Sequence, residues 1–223
     1  TDPAVVNTGR FLLYPVRPSL NGYEKILQYP PLWTAYGNTI LYTVVGTVVA
    51  VAITIPAAYA LSRYDLFGRR PLMMLFSFTM FFSGGIIPLF LQIQKLGIYD
   101  TIWAVVLPTA VSVWNLIVCR SFFESNIPLE LLEASRIDGT NDFGFFFRIV
   151  IPLSPTIITV MILFYGTALW NSFMNPLMFL QSIDKMPLQV VLRNLVMSAQ
   201  VSSMIGDAAE AAEMQKMAEQ LKY

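Results

Sequence analysis

The sequence has no histidine and a single cysteine, Cys119, in 223 residues. Without histidine the chain lacks the side chain that most often serves as a general base and as a metal ligand. One cysteine excludes an internal disulfide, a zinc ribbon and a redox pair. Charge is scarce as well: Asp, Glu, Lys and Arg make up 13% of the residues, against about 25% in a typical soluble domain. The 14 basic and 14 acidic side chains cancel, which excludes recognition of nucleic acid through a basic stripe. Little remains from which to build a catalytic cluster.

What the chain has instead is apolar length. Hydrophobic residues make up 56% and the mean hydropathy is +0.60. No charged residue occurs in 26–62, 71–94, 101–119 or 149–183. A bilayer core about 30 Å thick takes about 20 helical residues, so each run can hold one span. A charged side chain at the centre of a span would cost about 2.5–3.5 kcal/mol. The pattern predicts spans near residues 33–61, 72–91, 102–119 and 149–176. Backbone in lipid must satisfy its own hydrogen bonds, which makes these spans helices. Residues 44–51 are apolar or small at nearly every position and lack the alternation of a membrane β-barrel. The expected fold class is therefore all-α, a polytopic membrane helical bundle. Trp33 and Trp103 open two spans, and Tyr59 and Tyr64 flank the end of the first, as interfacial anchors do. Pro56, Pro88 and Pro108 lie within or beside the runs, and each predicts a kink.

Short loops set the orientation. Residues 62–71 contain Arg63, Arg69 and Arg70, whereas 92–101 contain one basic residue, Lys95. The positive-inside rule makes the three-arginine loop cytoplasmic. The next cytoplasmic loop is then 120–148, and both ends of the chain face outside. An outside N-terminal segment with no signal peptide needs something upstream to carry it across, so a first span is expected before residue 1. Residues 206–223 are rich in helix formers and place Met214, Met217 and Leu221 on one face. They are expected to form a helix leading to a last span, giving six spans in the intact subunit. The organisation expected is an extracytoplasmic segment over 1–31, a transmembrane domain over 32–176 and an extracytoplasmic segment with its helix over 177–223. Within 1–31, residues 19–27 read as a short interfacial helix.

Six charges fall in residues 130–148: Glu130, Glu133, Arg136, Asp138, Asp142 and Arg148. Residues 128–139 read as a short amphipathic helix and a turn. Leu131, Leu132, Ala134 and Ser135 suit a packed face, and Glu130, Glu133 and Arg136 suit solvent or a partner. Pro128 fits a first helical turn, and Gly139 can take the left-handed conformation that ends a helix. A second short helix is expected over 142–148. By physics alone this is either an ordinary interfacial loop or a shape that fits a groove on a soluble partner.

The loop resembles the signature of the membrane subunits of binding-protein-dependent ABC importers, E-A-A-x(3)-G-x(9)-I-x-L-P. Here it stands as Glu133, Ala134, Ser135, then Gly139, nine residues, and Ile149, Val150, Ile151, Pro152. Ser135 replaces the second alanine and Ile151 the leucine. Asn38 and Thr39, residues 58–63 with Gly68, Arg69 and Arg70, residues 97–104, residues 170–173 and residues 187–189 are similar to the carbohydrate importers of that group. Residues 81–88 are similar to permeases for complex oligosaccharides, including the alginate importer.

The resemblance implies a type I importer permease that pairs with a second, different permease as a heterodimer. It further implies two ATPase subunits, an extracytoplasmic solute-binding protein, an oligosaccharide substrate and a location in the bacterial cytoplasmic membrane. The loop helix would dock on the ATPase. Glu133 would make a charged or hydrogen-bonded contact there, Ala134 would permit close approach and Gly139 would set the turn. Glu130, Ser135, Arg136 and Asp138 complete that set. The chain has no G-x(4)-G-K-[S/T] phosphate loop, so ATP and Mg are expected in the partner ATPases and no cofactor in this chain, which is not an enzyme by itself. Asn115, Trp170, Asn171 and Asn175 are candidates to line the sugar pathway, with Ser83, Gly84 and Gly85 letting backbone approach. The same residue types also serve as helix–helix contacts. A channel or a structural membrane scaffold is the rival reading. The segments 1–31 and 177–203 are expected to help receive the binding protein.

Overall fold

The computed structural model describes Glu24, residues 27–198 and residues 200–201. The helix expected over 19–27 lies mostly, and that over 206–223 wholly, outside the described residues. Every regular element among the described residues is helical. The first, α1, runs over Pro30–Ser62 and starts on two prolines, whose missing N–H groups cost nothing in a first turn. At about 1.5 Å per residue its 33 residues exceed the thickness of a bilayer core.

The other three expected spans are each broken. Helix α2 (Arg69–Phe81) and helix α3 (Ile86–Lys95) meet at 112°. Helix α4 (Ile102–Val106) continues in a 3-10 turn, Leu107–Thr109, and meets α5 (Val113–Asn126) at 51°. Helix α6 (Leu129–Ile137) lies in the loop that follows. Helix α7 (Asp142–Phe145), a π turn (Phe146–Val150) and α8 (Ile151–Leu153) form one arm, which meets α9 (Pro155–Trp170) at 81°. Then come α10 (Met174–Phe179), a 3-10 turn (Ile183–Lys185) and α11 (Leu188–Ser198). Among the described residues one helix is long and apolar enough to cross a membrane, and up to four spans result if each bent pair is one.

The breaks correct part of the proline expectation. Helix α1 is continuous through Pro56, which removes one backbone hydrogen bond without ending the helix. Pro88 sits in the first turn of α3, where its N–H would have no helical partner in any case. The break before it belongs to Gly85, whose φ of 84° and ψ of −179° are open essentially to glycine alone. Pro108 does lie beside a bend, in the 3-10 turn before α5. The fourth span ends at Trp170 rather than at residue 176, and Pro176 is buried inside α10.

Helix α1 is the centre of the packing, against α9 and α5. Its buried side is small or hydroxylated at Ala35, Thr39, Gly46, Ala50, Thr54 and Ala58, and its exposed side carries Val44, Val48 and Ile53. That inversion suits a helix in lipid, where close backbone approach replaces the hydrophobic drive of water-soluble cores. A Cβ on Gly46 would come within 2.7 Å of Leu169 Cδ1 on α9. Gly46→Ile therefore forces Leu169 and α9 outward and destabilises by about 1–3 kcal/mol, the usual range for overpacking. Thermal unfolding of the purified subunit in detergent measures this, and Leu169→Ala added to Gly46→Ile restores part of the loss.

Candidate functional site

The loop helix α6 is amphipathic in a narrow sense. Leu132 and Ser135 are buried, and Leu129 and Leu131 are half-buried. Ser135 is buried against the body of the protein and donates its hydroxyl to Leu132 O of its own helix at 2.8 Å. Ala134 departs from the packed face expected of it and is exposed, alongside Glu130, Glu133, Asp138 and Gly139. Pro128 stands one residue before the helix, as its N-cap. The C-terminus is a two-bond turn: Gly139 N–H donates to Arg136 O at 3.0 Å, and Thr140 N–H to Ser135 O at 2.9 Å. That closure needs a left-handed residue, and Gly139 supplies it at φ 76°. The second helix of the loop is shorter than expected. It is capped by Asn141, whose Oδ1 accepts from Gly144 N at 2.7 Å, and passes into the π turn at Phe146.

Arg136 is turned back onto the chain. Its Nη2 lies 3.1 Å from Asp65 Oδ2 and 3.7 Å from Asp142 Oδ1. Arg63, at the end of α1, grips the same two carboxylates: Nε donates to Asp65 Oδ1 at 2.8 Å, Nη1 to Asp142 Oδ1 at 2.8 Å, and Nη2 to Asp65 Oδ2. This four-residue latch ties α1, α6 and α7 together. Above it, Tyr59 packs on Phe146 and Phe123 at ring separations of 5.1 and 5.8 Å. Glu130, Glu133 and Asp138 have no ion-pair partner among the described residues.

At the opposite end of α1 stands a second polar cluster. Asp100 holds φ at 57° and accepts from Gln181 N at 2.9 Å, Ser182 N at 3.1 Å, Ser182 Oγ at 2.6 Å and Lys185 Nζ at 2.7 Å. Tyr42 Oη donates to Lys185 O at 2.7 Å, Asn38 Nδ2 to Asp184 O at 2.7 Å, and Leu188 N to Thr39 Oγ1 at 2.8 Å. This clasp joins three of the motif pieces read in the sequence: Asn38 with Thr39, the 97–104 stretch and the 187–189 stretch.

The pathway candidates are scattered. Asn115 is buried in α5. Trp170 stacks edge-on against Tyr36 with centroids 5.9 Å apart. Asn171 is exposed and donates Nδ2 to Thr167 O at 2.8 Å, capping its own helix. Asn175 is half-buried in α10, and Ser83, Gly84 and Gly85 are exposed at the α2–α3 break. The cavities around the 62–71 loop are lined by other residues.

A family profile described as "binding-protein-dependent transport system inner membrane component" matches residues 30–211. The chain belongs to this family. As a permease it is 44% identical over 201 residues to the polygalacturonan/rhamnogalacturonan transport system permease protein YtcP of Bacillus subtilis, covering 90% of this chain and 69% of that one. It is 38% identical over 200 residues to protein LplC of the same organism, covering 90% and 68%. A solved bacterial ABC transporter involved in the import of the acidic polysaccharide alginate matches with a TM-score of 0.80 and 36% identity. That match covers 86% of this chain and 68% of the other. The family is the membrane component of ABC transporters and not itself catalytic.

Three features of the permease were not legible beforehand. Ile137 is 87% exposed and Phe143 77%, both apolar on the outer side of the loop. Ile137 falls opposite the packed Leu132 and Ser135, a misplaced apolar residue that a helical projection would flag. The latch pairs residues far apart in sequence, and nothing local announces it. The third is a buried knot in which Tyr165 Oη lies 2.7 Å from Thr54 Oγ1 and accepts from Ser112 N at 3.2 Å.

The latch and the clasp each yield an expected pH or exchange behaviour. The Arg63 guanidinium, and to a lesser degree Arg136, hold the Asp65 carboxyl down to about 2. Because its folded value is depressed below the ordinary value of about 3.9, its stabilisation is present above that value and is lost as pH falls toward 2. Both partners are partly exposed, so the loss is about 0.2–1 kcal/mol. In unfolding measured against pH, Asp65→Asn lacks this acid-side loss. Asp100 is held far below the usual carboxylate range by the Lys185 ammonium, then by the Ser182 hydroxyl and two backbone amides. Asp100→Ala frees those donors, and amide exchange at Gln181 and Ser182 accelerates on the order of ten-fold or more.

Proposed function

We propose that this permease forms half of the translocation pathway of an ATP-driven importer for an acidic, alginate-like oligosaccharide. It would work in the bacterial cytoplasmic membrane as a multi-pass subunit. The observation that carries the saccharide class is the agreement of two relatives, one named for polygalacturonan and rhamnogalacturonan and one for alginate. Polygalacturonan and alginate are both chains of uronic acids. In this reading the subunit pairs with a second permease as a heterodimer, sits on two ATPase subunits that hold ATP and Mg, and receives its cargo from an extracytoplasmic solute-binding protein.

Coupling runs through residues 130–152. Helix α6 presents Glu130, Glu133, Ala134 and Asp138 outward, with charge to meet a partner and a small side chain that lets it approach. Ile137 and Phe143 add apolar contact on the same outer surface. Gly139 fixes the turn, Ser135 anchors the helix from within, and Arg136 transmits its movement to α1 through Asp65. For transport to be driven, nucleotide and loaded binding protein must each favour one of two states, and the latch lies between them.

The test is ATP hydrolysis by the complete, reconstituted transporter with binding protein loaded with galacturonate, alginate or neutral oligosaccharides. Stimulation by the acidic oligomers and not by the neutral ones is expected. Flux without the ATPases would sink the importer reading in favour of a channel. Gly139→Val keeps the complex assembled and lowers stimulated hydrolysis by about ten-fold or more, because a β-branched residue at this φ strains the turn by about 1–3 kcal/mol. Unchanged stimulation would remove Gly139 from the coupling set.

A further inference from the structure

The cytoplasmic start of α2 carries a site that transport leaves unused. A cavity of about 990 Å³ is lined by Arg69, Arg70 and Arg120, with Tyr64 and Phe67 at its rim. Arg69 and Arg120 share one carboxylate, Glu124. Arg70 has no ion-pair partner among the described residues. Asp65 also borders the cavity but is already held by Arg63 and Arg136. Three guanidiniums therefore face one available carboxylate, which leaves two positive charges in excess.

The cavity is not closed at its membrane side. Met73, Met74 and Arg120 also line a second, apolar groove of about 540 Å³, which continues along α2 and α5 past Phe78, Phe82 and Ile117. A basic chamber that opens into an apolar trough has the shape of an amphiphile. Its basic end lies in the three-arginine loop, which the positive-inside rule assigns to the cytoplasmic face. Phe67 is fully exposed there, and Tyr64 is 63% exposed, at the level where aromatic rings meet headgroups.

We propose that this composite site binds an anionic phospholipid of the cytoplasmic leaflet, with the phosphate among Arg69, Arg70 and Arg120 and an acyl chain in the α2–α5 groove. Basic pockets at the cytoplasmic side of helical bundles take such headgroups. A soluble anion leaves the groove unfilled, and a saccharide has no apolar tail to fill it. The occupied site would steady the loop that carries Asp65, and so the latch that holds the coupling helix. This inference does not depend on which saccharide is carried.

The experiment uses the complete transporter reconstituted in nanodiscs of equimolar phosphatidylcholine and phosphatidylglycerol, then released into detergent for native mass spectrometry. Retention of phosphatidylglycerol over phosphatidylcholine is expected. Arg70→Gln lowers that retention about five-fold, the factor one basic side chain contributes near an anionic lipid, and Arg70→Lys keeps most of it. Arg70 has no ion pair to lose, and an unchanged thermal midpoint for both variants confirms intact folding. Equal retention of the two lipids, or no effect of Arg70→Gln, overturns the proposal. Competition by glycerol phosphate as strong as by phosphatidylglycerol reduces the site to a phosphate pocket and overturns the lipid assignment. Displacement of the lipid by trigalacturonate overturns it in favour of the saccharide pathway.

Discussion

The structure depends on how closely other helices can approach one face of α1. In lipid there is no water to expel between helices, so association rests on packing and on hydrogen bonds between them. The face built from Ala35, Thr39, Gly46, Ala50, Thr54 and Ala58 answers both needs. Gly46 leaves room for Leu169, and Thr54 reaches Tyr165, which in turn receives the free N–H of Ser112 at the start of α5. One hydroxyl thus fastens three elements, α1, α5 and α9. The larger Val and Ile residues are left for the outward side.

The broken spans follow the same economy of polar groups. Each interruption frees backbone N–H and C=O groups, and local side chains recover some of them. Ser83 Oγ accepts from Gly85 N at 3.3 Å, and Ser112 Oγ from Asn115 N at 3.4 Å. Thr109 returns its hydroxyl to Val106 O at 3.0 Å. Proline and glycine thus bend a span by as much as 112°, and these side chains satisfy part of the backbone that the bends free.

Much of this was readable in the sequence because the bilayer imposes a strong one-dimensional signal. Charge-free runs located the spans, and the spacing from Glu133 to Pro152 located the loop. Gly139 was legible because helix termination has a local cause. What escaped was long-range. Arg136 looked free in sequence, and only the fold brings Asp65 and Asp142 to it. Asp100 and Lys185 stand just outside two charge-free runs, a position that marks span ends but does not say that they pair. Ser135 packs inward as its place on the helix face led one to expect, whereas Ala134, expected beside it, is exposed, since spacing alone does not fix where the packed face of a short helix ends. The kinks were expected at prolines, but a proline in a first turn loses nothing, so the sharpest bend fell to a glycine instead.

Helix α1 is unbroken from Asn38, in the clasp, to Ser62, beside the latch, a distance of about 36 Å at 1.5 Å per residue. The other spans have joints and can absorb a displacement. This one has no break, and polar groups anchor it at both ends. A shift of about 3 Å at one end, with the other held, is a tilt of about 5° for a rod of that length. The clasp and the latch are thus the two ends of one continuous helix, so a movement of either has a path to the other that crosses no joint.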